Sequence, residues 1–500
     1  MAPTIIRDLS DTSGYWAAIW TMCPMPDVHV ICDAPVGCFN LVGTAVPDYT
    51  DAVPHIENLT PATMTEQEVG GKGTADKVKW TYDNLALTGA LDNKHVIVVS
   101  TAESEMIGSD HSSLVKQLGT GTKFYYSNSL AEDEWAGRDR VLLWLWDEYG
   151  AQQRTTVAHN PRSVNIIGPT YGCFNAPSEL EEMRRMIEGA GGTVNIVFPY
   201  ATTLADMHRL AAADVTVVLY KEFGMGLAEQ LGKPILTAPY GMKESNAFVR
   251  ALGEALGTRA QAEAFIANEK KTTLQAVWDL WRGPQGDWFS SLDVGIVAGL
   301  GLAEGLERFL GEELGMKIAF STARPRRPGD YDNEATRQHI HKKAPSFLFG
   351  SMNERIYLRE AGSRFSNYIP ASFPGPAVRR AVGTPFIGYR GCVILMQEIV
   401  NRLYDGLLNF LPVDGAYAAA RSATGAGGPP VAAPSGQTGN LKWTSEARDM
   451  LDAELQKLPY LPRISASRQL QMVIEGIARQ QGATEVTAEL VSAGLAANRG

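Results

Sequence analysis

Cysteine is scarce in this sequence, with five residues among 500. The five stand far apart in the chain, as Cys23, Cys32, Cys38, Cys173 and Cys392. An odd and sparse set argues against a disulfide framework and favours free thiols or metal ligands. Only Cys32 and Cys38 lie close together, and their spacing matches no zinc or ferredoxin pattern. A metal cluster with several thiolate ligands would therefore need ligands from a second chain.

Long apolar runs and an excess of positive charge are also missing. No stretch of about eighteen uninterrupted apolar residues occurs, so we expect no membrane-spanning helix. The first residues lack a basic segment followed by an apolar one, so we expect no secretory signal. The formal net charge of −10 argues against nucleic-acid binding and against docking to an anionic membrane. By elimination, we expect a cytoplasmic protein.

Motifs for nucleotide hydrolysis and for serine catalysis are absent as well. No Gly-x4-Gly-Lys-Ser/Thr segment occurs, so the chain is not expected to hydrolyse ATP itself, and no Gly-x-Ser-x-Gly elbow is present. Gly299, Gly301 and Gly305 resemble a dinucleotide-binding fingerprint, but the third glycine comes one place late. A tight turn in an ordinary α/β domain explains this spacing as well, so a nicotinamide oxidoreductase stays an alternative.

Alternating strand and helix patterns dominate what is present. Five hundred residues exceed one hydrophobic core, and the alternation predicts an α/β fold with parallel sheets flanked by helices. A stretch rich in Ala, Gly, Pro and Ser predicts a flexible linker before a small all-helical domain. The predicted order is an N-terminal α/β domain (1–160), a second (161–283), a third (284–414), the linker (415–440) and the helical C-terminal domain (441–500).

Two further predictions concern a single helical stretch and a single strand. We expect a long helical stretch from Asn246 to about Trp281, interrupted at Gly253 and Gly257. We also expect a short strand at Ile356–Leu358 in the third domain.

One short stretch presents a cysteine in a special position. Val28–Cys32 is predicted to be a buried strand, followed by a tight turn over the segment Ala34-Pro-Val-Gly. Cys38 comes just past that turn, ahead of a predicted helix. Backbone N–H groups at a strand-to-helix turn stabilise a thiolate, which suits a metal ligand or a nucleophile. A small core residue is the alternative interpretation.

Three segments together resemble the nitrogenase-like tetrapyrrole reductases. The first is Ala34-Pro-Val-Gly-Cys38, similar to the family's Ala-Pro-x-Gly-(Asp or Cys) cluster turn. The second is the segment from Phe373-Pro-Gly to Gly391. The third is the tail, with Trp443, Glu446, Pro459, Arg463, Arg468 and Glu475. The resemblance covers nearly the whole chain except the linker.

The resemblance implies a redox function shared between chains. It implies a heterotetramer with a homologous partner subunit, whose three cysteines complete a [4Fe–4S] cluster with Cys38. It also implies that a separate homodimeric P-loop ATPase with its own cluster delivers electrons. The implied reaction is reduction of the ring-B C7=C8 double bond of chlorophyllide a, and cysteine rather than aspartate at position 38 favours it over protochlorophyllide reduction. A protochlorophyllide reductase and a non-catalytic assembly scaffold are the alternatives.

The sequence also contains candidate residues for substrate binding and for proton donation. A flat apolar macrocycle needs a hydrophobic slot, for which the candidates are Phe386, Tyr389, Val393, Leu395 and Met396. Asp287 and Asp293 are candidate proton donors. The apolar neighbours of Asp287 would raise its pKa, although an exposed loop aspartate is the alternative. Serines 290 and 291 occupy the place where the protochlorophyllide enzymes are expected to carry a donor aspartate.

Overall fold

Three parallel four-stranded sheets, each with helical crossovers, build most of the chain. The computed structural model describes residues 12–49, 57–71, 73–154, 156–277, 289–363, 366–374, 380, 382–410, 441–455 and 460–497. The strands are β1 (Val28–Cys32), β2 (Leu59–Pro61), β3 (His95–Val99), β4 (Lys123–Tyr125), β5 (Ser163–Ile167), β6 (Thr193–Phe198), β7 (Val215–Val218), β8 (Ile235–Thr237), β9 (Asp293–Gly299), β10 (Lys317–Arg324), β11 (Phe347–Gly350), β12 (Asn367–Pro370), β13 (Lys442–Trp443) and β14 (Glu485–Val486).

Helices connect these strands and cover the sheets. They are α1 (Gly14–Met22), α2 (Val36–Tyr49), α3 (Glu66–Val69), α4 (Ala75–Leu87), α5 (Ala102–Ile107), α6 (His111–Val115), α7 (Glu134–Leu145), α8 (Ala176–Gly189), α9 (Met225–Leu231), α10 (Gly241–Ala255), α11 (Arg259–Lys271), α12 (Leu300–Leu306), α13 (Asn333–Lys342), α14 (Met352–Glu360), α15 (Gly388–Phe410), α16 (Ser445–Leu455), α17 (Tyr460–Gln480) and α18 (Ala488–Ala497). Single π-helical stretches follow α7 (Trp146–Gly150) and α12 (Glu307–Glu313).

The three large sheets repeat one topology. Their strand orders are β2-β1-β3-β4, β6-β5-β7-β8 and β10-β9-β11-β12, and every pairing is parallel. The first strand of each sheet therefore lies inside it, with the next two strands on either side. In such sheets the crevice at the carboxyl ends beside that first strand is where ligands bind. The topology therefore predicts ligand sites at the chain segments that follow β1, β5 and β9.

The central strands are buried along their whole length because they are nearly continuous apolar runs. All five residues of β1 and all five of β5 are buried, as expected for strands covered by helices on both faces. A large core cluster joins the first two sheets through α1 and α7, with Trp20 and Trp146 fully enclosed. A separate cluster backs the third sheet.

The predicted α/β class is confirmed, and most predicted elements occur. The break at Gly257 between α10 and α11 is confirmed, but Gly253 lies inside α10, where its small size admits the Ala262 side chain. The predicted strand at Ile356–Leu358 is wrong. Those residues belong to α14, which Ser351 and Glu354 begin with a reciprocal capping box.

The chain divides into two compact units, Met1–Val400 and Asn401–Gly500. In the second unit, α16, α17 and α18 enclose a small apolar core that includes Leu451, Ile474 and Val491. The predicted linker at 415–440 lies outside the described residues. Within the described part of the chain, we find no helix with the length and apolar character needed to cross a bilayer.

Candidate ligand turn and buried cavity

Cys38 is held at the carboxyl end of the first sheet. Backbone hydrogen bonds anchor the turn that leads to it, from Ala62 N to Cys32 O (2.7 Å) and from Met64 N to Ala34 O (3.1 Å). Helix α2 begins at Val36, so Cys38 lies in its first turn rather than ahead of the helix as predicted. The turn therefore fixes the thiol at the sheet edge where ligands bind.

The Cys38 side chain is half-buried and contacts an acidic neighbour. Its Sγ donates a hydrogen bond to Glu103 Oε1 at 3.0 Å, while Val36 and Leu41 beside it are 50% and 60% exposed. Partial burial, together with the hydrogen bond and negative charge of Glu103, raises the pKa of Cys38 to about 11. Burial and the Glu103 contact therefore disfavour the thiolate in the chain by itself, against the stabilisation expected from the turn. A bound metal cation has the opposite effect, because it lowers the pKa of a thiol that coordinates it and so favours the thiolate.

Cys38 and its surroundings fit one ligand of a metal group but not a complete site. In the described parts of the chain, no group of three or more His, Cys, Asp or Glu side chains is placed to hold a metal ion. The other four cysteines are buried, and Cys32 lies fully enclosed in the core of the first two sheets. The exposed apolar residues around Cys38 leave its thiol on a face that a second chain is able to cover.

A buried cavity lies at the carboxyl ends of the second and third sheets. Its volume is about 50 Å³, which is room for roughly four water molecules at 10–15 Å³ each. It is lined by the loops after β5, β7, β8 and β12, by the last residues of β9 and β10, and by α7, α8 and α12. Its lining includes Glu134, Trp135, Cys173, Phe174, Glu179, Tyr220, Glu222, Phe223, Tyr240, Gly299, Leu302, Arg324 and Phe373. The cavity therefore occupies the crevice that the repeated topology indicates.

Two glutamates in this cavity have pKa values raised to about 7, mainly by burial. The carboxylate of Glu179 accepts hydrogen bonds from the backbone N–H groups of Phe386 and Ile387, at 3.0 Å each, and so ties α8 to the start of α15. Glu222 is different, because its Oε2 is buried without a hydrogen-bond partner. Both acids hold protons near neutral pH. No sequence motif marked either of them.

A buried arginine joins the first sheet's helices to the cavity loops. Arg138 on α7 is fully buried and donates to Glu134 Oε1 (3.1 Å), to the Tyr171 carbonyl (2.6 Å) and to Thr170 Oγ1. The rings of Trp20, Trp135 and Phe223 lie around its guanidinium at 5.3–5.5 Å. Arg138 also fell outside the sequence prediction, because its partners Thr170 and Tyr171 are 32 and 33 residues away in the chain.

The predicted substrate residues lie at and just before the start of α15. Phe386, Tyr389, Leu395 and Met396 are buried and Val393 is half-buried. Phe386 packs against the cavity residue Phe174, with ring centroids 6.0 Å apart, but none of the five lines the cavity itself. The Tyr389 hydroxyl lies 2.9 Å from Asn246 Oδ1. Their contact with a substrate stays a prediction.

Of the two predicted proton donors, only Asp293 belongs to the described part of the chain, and it lies away from the cavity. Asp287 lies outside the described residues. Asp293 begins β9, about 20 Å along the strand from the cavity residue Gly299 at 3.3 Å per residue. Its Oδ1 accepts hydrogen bonds from Ser346 N and Oγ, at 2.7 Å each, which links β9 to β11. That position gives Asp293 a structural role, and its donor role stays a prediction.

The glycines of the dinucleotide-like segment have a packing role. A Cβ at Gly299 would lie 1.8 Å from Glu222 Oε1, and one at Gly305 would lie 2.2 Å from the ring of Tyr240. Close approach of these two cavity side chains accounts for both glycines without a bound nucleotide.

Changing Glu222 to glutamine is expected to alter how stability depends on pH. The folded chain keeps the Glu222 proton up to about pH 7, whereas the ordinary pKa is 4.5. Stability therefore falls as pH rises through that window, and Glu222→Gln removes this loss, up to roughly 3 kcal/mol. Thermal unfolding at pH 5 and pH 8 measures the difference.

The matched control is Glu148→Gln, which changes a partly exposed glutamate paired with Lys123 at 2.8 Å. It should leave the pH dependence of stability close to that of the unchanged chain. Glu179 contributes to that pH dependence in every variant. Equal pH dependence in Glu222→Gln and the unchanged chain would contradict the assignment.

Comparisons with known proteins agree with the repeated α/β architecture. The family described as nitrogenase component 1 type oxidoreductase matches residues 13–404. The B-type subunit of the light-independent protochlorophyllide reductase of Heliobacterium modesticaldum is 26% identical over 94% of both chains. The same subunit from Chloroflexus aurantiacus is 26% identical over 77% of this chain and 74% of its own length. A structure titled Nitrogenase Cp1 at pH 6.5 aligns with a TM-score of 0.64 and 16% identity, over 81% of this chain and 95% of that one.

Proposed function

This chain belongs to the nitrogenase component 1 type oxidoreductases, and we propose that it is the Z-type subunit of a chlorophyllide a reductase. In this proposal it pairs with a homologous Y-type subunit in a heterotetramer. Cys38 and three partner cysteines hold a [4Fe–4S] cluster, and a separate P-loop ATPase delivers electrons. The product carries a reduced C7–C8 bond in ring B.

One observation carries the proposal: a single half-exposed cysteine lies at the carboxyl edge of a buried sheet. The described residues place no second or third metal ligand beside Cys38 except Glu103. A chain that supplies one thiol from a surface flanked by exposed Val36 and Leu41 fits one half of a shared site. When bound, the cluster supplies electrons at a low reduction potential. Cys38 and its hydrogen bonds would tune that reduction potential.

Tetrapyrrole reduction is supported by the relatives and by the residue at position 38. The relatives that match along 94% of their length are named for protochlorophyllide reduction. The family resemblance implies an aspartate at the ligand position in those enzymes, whereas this chain has Cys38. That difference, with an identity of only 26%, favours chlorophyllide a over protochlorophyllide.

The cavity is too small to hold the pigment. Pockets for ligands of drug size enclose about 300–1,000 Å³, against about 50 Å³ here. We therefore place the macrocycle outside the cavity, on a face that the second subunit completes. Within the chain, Glu179 and Glu222 hold protons near pH 7 and are added to Asp287 and Asp293 as candidate proton sources.

A pigment-reduction assay tests the proposed substrate. The chain is co-purified anaerobically with its partner subunit and supplied with the ATPase, ATP, a reductant and either pigment. With chlorophyllide a, the red absorption band should move further to the red as ring B is reduced.

The other outcomes of this assay separate the alternatives. Consumption of protochlorophyllide instead would establish the light-independent protochlorophyllide reductase. A complex that binds a cluster and consumes neither pigment would support the non-catalytic assembly scaffold.

A further inference from the structure

A buried carboxylate lies at the base of the turn that presents Cys38. Asp33 follows β1 directly, and its side chain is fully buried. Its Oδ2 lies 2.6 Å from His111 Nε2 and 2.5 Å from Thr74 Oγ1. The Thr74 hydroxyl donates to this oxygen, and His111 Nε2 lies within hydrogen-bond distance of the same atom.

These contacts bring three separate segments to one atom. Thr74 precedes α4, His111 begins α6, and Asp33 directly follows the first strand of the sheet. His111 is buried and stacks on Phe124 of β4, with ring centroids 4.7 Å apart. The contact with Asp33 at the edge of the imidazole and the stacking of Phe124 on its face therefore fix the orientation of the ring.

The main chain of Asp33 links the same residue to the other side of Cys38. Asp33 N donates to Val99 O at 3.0 Å, and Asp33 O accepts a hydrogen bond from Thr101 Oγ1 at 2.8 Å. Thr101 caps α5, the helix that carries Glu103 to the Cys38 thiol. Asp33 thus holds both the start of the turn and the helix behind the thiol in place.

An anchor that served stability alone would not need a polar side chain here. Asp33 Oδ1 is buried with no hydrogen-bond partner, and a buried carboxyl group with an unpaired oxygen costs free energy. Buried polar and ionic contacts are weak sources of stability, and their best-attested use is to specify one arrangement over others.

We infer that Asp33, held by His111 and Thr74, is a positioning residue that fixes the turn from Ala34 to Cys38 against α5. The part that concerns the cluster rests on the proposed function. The part that concerns the turn does not.

Hydrogen–deuterium exchange on the full chain tests the turn without any cluster. The informative amides are those of Phe39 and Met64, which bond to Pro35 O and Ala34 O. In Asp33→Asn we expect both to exchange about tenfold faster, because the new side chain keeps one acceptor oxygen but buries an unpaired amide NH2 beside it. The control is Val78→Ala, which removes buried atoms from α4 behind the same sheet without touching Asp33.

The control separates positioning from general loss of stability. If Val78→Ala lowers the melting temperature as much as Asp33→Asn but leaves those amides protected, the positioning role is supported. Equal exchange in the two variants, or unchanged exchange in Asp33→Asn, would overturn it.

The second measurement is the electron paramagnetic resonance spectrum of the complex with the partner subunit. Asp33→Asn should retain the cluster, because Cys38 remains, but change its line shape, while Val78→Ala keeps the original spectrum. An unaltered line shape in Asp33→Asn would overturn the effect on the cluster. If the unchanged complex carries no cluster signal, the proposed function fails, and the exchange result still decides the role of Asp33 in the turn.

Discussion

Cys38→Ala is expected to abolish the cluster signal of the two-subunit complex and its pigment reduction. The described residues offer no other thiol near the turn that is able to take its place, since the remaining four cysteines are buried. Changes to groups around metal ligands already cost 10–100-fold in affinity or activity, so loss of the ligand should lower pigment reduction by at least about a hundredfold. Electron paramagnetic resonance and the pigment assay measure the two effects.

The matched control for this variant is Cys32→Ala, six residues earlier in the chain. Cys32 is fully buried in the core below the turn, so its loss should cost about 1–2 kcal/mol of stability and leave the cluster in place. A Cys38→Ala complex with the original spectrum and activity would remove Cys38 from the ligand set.

Arg138→Ala is expected to destabilise the chain by about 3–5 kcal/mol, because it leaves the buried Glu134 without its charge partner. The substitution also removes the donors to Thr170 and Tyr171 that join α7 to the loop after β5. The midpoint of the first thermal transition is the measure, since a chain with separate compact units does not unfold in one step.

Arg250→Ala provides the control, because Arg250 pairs with Glu263 at 2.7 Å on the surface. Exposed pairs of this kind contribute little, so its midpoint should stay close to that of the unchanged chain. Similar midpoints for the two variants would show that the Arg138 network does not stabilise the fold.

The Cys38 turn could be predicted because its signal is local. An apolar run, a segment with Pro and Gly and a cysteine within eleven residues predict a strand, a turn and a helix start. The structure has the strand at Val28–Cys32 and the helix, which begins at Val36, two residues into the predicted turn. The contact with Glu103 could not be predicted in this way, because 65 residues separate the two side chains. Partial burial together with that contact raises the pKa of Cys38, against the thiolate stabilisation expected from the turn.

The cavity could not be predicted for the same physical reason. Glu179, Glu222 and Arg138 come from a helix, a loop and another helix, and only the packing of the sheets brings them together. The error at Ile356–Leu358 has another cause. Three apolar or aromatic residues are too few to separate a strand from a helix, and the capping signal at Ser351 and Glu354 was the stronger evidence.

Iron analysis with electron paramagnetic resonance, on this chain alone and on the chain co-purified with its partner subunit, tests the shared ligand site most directly. Both samples are prepared anaerobically under identical conditions. We expect no stoichiometric cluster on the chain alone and one [4Fe–4S] cluster for each pair of unlike subunits. A stoichiometric cluster on the isolated chain, or none in the complex, would contradict the shared site.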